Sequence, residues 1–127
     1  MITKVQTENA PAAVGPYSQA IIANGFVFLS GMLPLDPRTG IMIGENAGEQ
    51  TEQVMKNIIG LLAELNLDLE DVVKATIFLD SMDSFQSVNE VYGSYFTNHK
   101  PARSCVEVAA IPKGALVEIE VIALQRK

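Results

Sequence analysis

With 127 residues, 48 % of them hydrophobic and 19 % charged, the chain is long enough for one full core and slightly dry for the surface of a monomer. Nine Lys and Arg against 15 Asp and Glu leave a net charge of −6, and the basic residues are scattered, which argues against a nucleic-acid or anionic-membrane partner. One Cys and one His exclude a disulfide framework and a zinc cluster within one chain.

Residues 1–127 read as one domain, without repeats or a linker-like stretch. Ile2 to Thr7 forms a short strand, and "TENAPAAVGP" is a connector punctuated by Pro11 and Gly15-Pro16. The N-terminus lacks an apolar leader segment, and no run approaches about 18 apolar residues. With a lone thiol, that points to a soluble protein of a reducing compartment, the cytoplasm.

Tyr17 to Ala23 and Phe26 to Ser30 are strands of a hairpin turned by Asn24-Gly25, since both turn residues accept positive φ. "DPRTG" at Asp36 to Gly40 is a second turn, with a small return strand at Ile41 to Ile43. Glu49 to Leu65 is a helix, because Val54, Met55, Ile58, Leu61, Leu62 and Leu65 recur at three and four residues. Gly60 weakens it by about 1 kcal/mol relative to Ala, and Asn66 stops it. Val72 to Leu79 is a β-branched and aromatic strand. Asp83 and Gln86 suggest a capping box for a helix carrying Phe85, Val88, Tyr92, Tyr95 and Phe96. Ser104 to Ala110 and Ala115 to Leu124 form a final pair of strands joined around Pro112-Lys113-Gly114. The order predicts an α+β fold: one mixed sheet with two helices on one face.

Read as a hairpin, the last two strands place Arg103, Cys105, Glu107, Glu118, Glu120, Ile122 and Leu124 on the face the helices leave open. Ile122 and Leu124 need cover there, which a second subunit would provide. Arg103 offers a planar fork of donors for a carboxylate, and a neighbouring Glu can activate water or donate a proton. The plainer alternative is a surface Arg–Glu ion pair. Cys105 as nucleophile with His99 as base lacks an orienting acid, so packing is the better reading of its side chain, while its main-chain carbonyl remains free to bind ligand or water. Ser30-Gly31 permits close backbone approach or is simply a turn. Tyr17 suits a pocket wall or a core. Asn89, unfavoured inside a helix, bonds something specific or faces solvent.

"APAAVGPYSQA", "FLSGMLPLDPRTG", "VNEVY" and "PARSCVEVAAIPKGALVEIEVIAL" together resemble the RidA/YjgF family of reactive-intermediate deaminases, nearly end to end, and its archetypal RidA subgroup in particular. The resemblance implies a chorismate-mutase-like protomer in a homotrimer with a central barrel and sites between subunits. It implies hydrolysis of the imines 2-iminopropanoate and 2-iminobutanoate, in equilibrium with their enamines, to 2-oxo acids and ammonia, without metal or organic cofactor. By the same resemblance, Arg103 clamps the substrate carboxylate and Glu118 holds the attacking water with the main-chain carbonyl of Cys105. Tyr17, Ser30, Gly31 and Asn89 line the cleft. Met32, where relatives often carry Gln, and Lys100, where Phe is frequent, depart from the pattern and bear on substrate preference. The competing functions are a 2-oxo-acid binding or regulatory module without turnover, and an endoribonuclease or translation inhibitor, for which the acidic balance and absence of a basic groove are unfavourable.

Overall fold

The computed structural model describes residues 1–126; Lys127, the last residue of the expected domain, lies outside the described residues. Six strands, β1 (Ile2–Val5), β2 (Ala20–Ala23), β3 (Phe26–Leu29), β4 (Val72–Leu79), β5 (Ala102–Glu107) and β6 (Val117–Leu124), and two helices, α1 (Ala47–Glu64) and α2 (Phe85–Tyr95), build an α+β fold. The sheet runs in the order β1-β2-β3-β6-β4-β5. Its pairings are antiparallel except β4 with β5, which is parallel because α2 provides the crossover between them.

Local chemistry explains the elements. Asn24 and Gly25 turn the β2–β3 hairpin at φ 53° and 84°, the mirror-image geometry that matches strand twist. The helix α1 begins two residues earlier than Glu49, because Asn46 caps it by accepting from the Glu49 N–H, and Glu49 Oε1 accepts from the Glu45 N–H. Asn66 leaves the helix in the left-handed region at φ 58°. Gly60 has a packing reason: a side-chain carbon there would collide with the Asn9 carbonyl of the N-terminal connector. Val54, Met55, Ile58, Leu61 and Leu62 are fully buried against Val27, Ile77, Val117 and Ile119 of the sheet. Each such side chain contributes about 1.5–3 kcal/mol.

Three expectations are corrected. Asp83 and Gln86 make no capping box. A 3₁₀ turn at Met82–Ser84 runs straight into α2, and its carbonyl at Met82 takes the Phe85 N–H. The return strand at Ile41 to Ile43 reduces to one bridge, Leu35 with Met42. The third correction matters most for function. The last two strands are not a hairpin: β6 inserts between β3 and β4, and β5 is an edge strand on the far side of β4.

Register then decides the faces, since paired residues point the same way. Arg103, Cys105 and Glu107 pair with the buried Ala75, Ile77 and Leu79, so they face the helices. Glu118 and Glu120 pair with Phe78 and Thr76 and face away from them. The parity reading that put all five on one open face is therefore wrong. That open face carries an apolar patch of Phe26, Phe28 and Leu124, 36, 44 and 48 % exposed, and, beyond Thr76, Ser104 and Glu120, Val106 at 43 %.

Candidate functional site

Two separate constellations hold the candidate residues. The first lies between β5 and α2. Phe85, Asn89 and Tyr92 follow one another at four and three residues, so one stripe of α2 meets the edge of the sheet. Arg103 reaches onto that stripe. Its Nη1 donates to Asn89 Oδ1, and its guanidinium carbon stands 5.4 Å from the Tyr92 ring centre and 5.8 Å from that of Phe85. Asn89 thus bonds something specific. Among the described residues Arg126 with Asp68 and Asp71 makes the ion pairs, so within one copy Arg103 does not form the surface Arg–Glu pair weighed above.

Cys105 is half-buried one turn of the pleat from Arg103, with its side chain against the core. Burial pushes its thiol up, and the Arg103 charge only partly offsets that, so the thiolate is disfavoured. His99 Nε2 bonds the Val72 carbonyl, whereas Cys105 pairs with Ile77, about 16 Å further along β4. The Cys–His pairing is excluded by that separation.

The second constellation is a cleft of about 770 Å³ on the other face, with Tyr17, Ser30, Gly31, Met32, Glu118 and Glu120 in its lining. Met32 and Ile119 exchange backbone hydrogen bonds, which draw Gly31 beside β6. The Glu118 carboxylate occupies the space a side chain at Gly31 would need, so glycine is required for this close approach. Desolvation first, and the Glu120 charge second, hold the Glu118 carboxyl above the usual carboxylate range. Ser30 spends its hydroxyl on the Ser18 carbonyl at 2.6 Å and so supports the wall. Tyr17 is 53 % exposed at the rim, a wall residue and not a core one.

Sequence reasoning did not single out Gln19 or Asn57, which hold this cleft together. Buried Gln19 donates to the carbonyls of Thr7, Ala10 and Pro11 and accepts from the Thr7 N–H, fixing the connector. Buried Asn57 donates to the carbonyls of Leu33 and Leu35 at 3.1 and 2.8 Å. An asparagine on the apolar side of α1 was the available signal for the latter. Among the described residues no group of three or more His, Cys, Asp or Glu is gathered as for a metal ion.

Tyr17, Ser30, Gly31 and Glu118 are thus brought together, and Arg103, Asn89 and Cys105 are brought together, but the two sets lie on opposite faces of one sheet. The model of the family described as Endoribonuclease L-PSP matches residues 7–125. The chain belongs to this family, which is also called RidA/YjgF. It is 42 % identical over 129 residues to the 2-iminobutanoate/2-iminopropanoate deaminase of Salmonella typhimurium, covering 99 % of this chain and 100 % of that one. The crystal structure of yeast Mmf1 superposes with a TM-score of 0.95 at 43 % identity, over 99 % of this chain and 100 % of that one. That of E. coli TdcF with bound serine superposes with a TM-score of 0.91 at 35 % identity, over 98 % and 99 %. The resemblance in the sequence and the α+β architecture are both borne out.

Proposed function

We propose that the protein is a deaminase that hydrolyses the imines of small 2-oxo acids, 2-iminopropanoate and 2-iminobutanoate, at a site completed by two copies of the chain. The observation that carries this reading is the Glu118 carboxylate, half-buried over Gly31 with its pKa raised, in a cleft whose lining also takes in Arg38 and Lys113. As the clamp for the substrate carboxylate we assign Arg103, which stands exposed on the other face, bonded to Asn89, and would be contributed by a neighbouring copy. The apolar open face, with Phe26, Phe28 and Leu124, supplies a reason for copies to associate, and we assign a homotrimer. The serine bound to E. coli TdcF is a small amino acid, the same size and charge class as the substrates named here.

In the proposed reaction the enamine is first protonated at C3 and so becomes the imine. Arg103 of one copy holds the substrate carboxylate, with Tyr17, Ser30 and Gly31 of the next copy, and Asn89 behind Arg103, shaping the site. Glu118 takes a proton from water as its oxygen bonds to C2, giving a carbinolamine. It then gives that proton to the amine nitrogen as the C–N bond breaks and takes the C2 hydroxyl proton as the carbonyl forms, releasing ammonia and the 2-oxo acid. A carboxyl held above its ordinary range suits these transfers, each worth about 10²–10⁴-fold. The main-chain carbonyl of Cys105 helps hold the water. No step needs a metal or an organic cofactor. A net charge of −6 with scattered basic residues makes an RNA backbone a poor substrate, whatever the family's description. No described helix is long and apolar enough to cross a membrane, and we assign the protein to the cytoplasm.

The test couples a serine/threonine dehydratase to the protein and traps free imine with semicarbazide. Wild type should suppress trapping, and Arg103→Ala and Glu118→Ala should not. Unchanged trapping with both amino acids would leave the alternative of a 2-oxo-acid binding module, read by direct titration.

A further inference from the structure

The Arg103 guanidinium has an unusual setting for an exposed side chain on an edge strand. Asn89 holds Nη1, and two rings from the same helix stripe approach within 5.4 and 5.8 Å. Tyr92 is 6 % exposed, and its hydroxyl finds no hydrogen-bond partner. A buried hydroxyl without a partner is a cost that phenylalanine would avoid, so the hydroxyl is not what the site uses within this chain. The ring is. Its face attracts the cation, as does that of Phe85. An Arg on an edge strand otherwise samples many rotamers and must lose that freedom when it grips a carboxylate.

Resting on the proposed deaminase site, we propose that Tyr92 and Phe85 are positioning residues, an aromatic shelf that fixes the Arg103 guanidinium so that its free donors meet a substrate carboxylate. The shelf acts on the carboxylate alone. It therefore sets the discrimination between 2-oxo acids and their uncharged analogues, and it leaves the proton transfers at Glu118 untouched.

The experiment uses the assembled protein and titrates 2-oxobutanoate and 2-oxobutanamide by calorimetry, with steady-state imine turnover alongside. Tyr92→Leu and Phe85→Leu keep apolar bulk and remove the ring. Each should bind 2-oxobutanoate about tenfold more weakly, with KM raised in proportion and kcat retained. Amide binding should not change. Tyr92→Phe should restore the wild-type affinity, because it returns the ring without the hydroxyl. Should Tyr92→Leu fail to fold, the half-buried Phe85→Leu carries the same test. Equal loss of acid and amide binding, or unchanged acid binding in folded Leu variants, would overturn the shelf assignment while wild type still turns over. So would a Tyr92→Phe as weak as Tyr92→Leu. If wild type neither binds the acid nor turns over imine, the deaminase function itself falls, and the shelf with it.

Discussion

Arg103 on β5 and Glu118 on β6 flank the same strand, β4, yet they are presented by contrary means. The Arg103 side is exposed, faces the helices and is ordered by side chains: an amide oxygen and two aromatic rings. The Glu118 side is half-buried, faces away and is ordered by the main chain, with Gly31 drawn close by the Met32–Ile119 bonds. A cation keeps its charge at the surface and needs only orientation. A carboxylate that must pass a proton back and forth needs partial desolvation. Because the faces differ, the two sets do not meet in one copy.

Mixing copies gives the largest effect. Arg103→Ala and Glu118→Ala should each be inactive alone. Unfolded and refolded together in equal amounts, they should recover about a quarter of wild-type activity, since each site draws one half from each of two copies. If both halves worked within one copy, the mixture would stay dead. Next in size, Gly31→Ala should push the Glu118 carboxylate out of place and lower kcat on the order of 10²-fold. Its melting temperature should change little, because the group that must move is the end of a side chain. An unchanged kcat would mean that the carboxylate position is not what the cleft depends on.

Within elements, the sequence was readable: the Asn24-Gly25 turn, the β4 boundaries and the apolar stripe of α1 all stand where periodicity and turn chemistry put them. Between strands it was not. Pro112-Lys113-Gly114 looked like a hairpin turn, but Lys113 sits at φ 61° in a connection that carries the chain past β4. Parity within β5 and within β6 was right, while their relative phase depended on which strand lay between them. The residues proposed for the site come mostly from family resemblance. Their separation across the sheet was not legible, because it is a property of pairing order.

Asn57 offers a middle-sized effect confined to the Glu118 side. Asn57→Ala removes two hydrogen bonds beneath the cleft wall, leaving the Leu33 carbonyl with the Leu35 N–H and the Leu35 carbonyl with Gln53 Nε2, and should cost about 1–3 kcal/mol in denaturant unfolding. Both leucines line the cleft, so affinity for ligand should fall along with stability, while the Arg103 environment stays as it was.

The smallest effect is a dependence of stability on pH, and its sign separates the two halves. Desolvation and the Glu120 charge raise the Glu118 carboxyl above its ordinary value of 4.5. The folded protein therefore holds this proton more tightly than the unfolded chain does. Between pH 4.5 and the raised native value, unfolding releases the proton, so this group's contribution to stability falls as pH rises and then levels off. Glu118→Gln has no proton to release. Its stability relative to wild type should grow through that window and vanish below it, by a small amount because the carboxyl is only half-buried. Glu120→Gln should narrow the same window by removing the second cause. Within one copy Arg103 does not contribute to the Glu118 shift, so an Arg103→Gln that left the window unchanged in the assembled protein would count against the two-copy site. If Arg103→Gln in the assembled protein instead widens the window, a partner's arginine stands close enough to Glu118 to hold down its pKa. That result would bring the two halves together by a measurement independent of turnover.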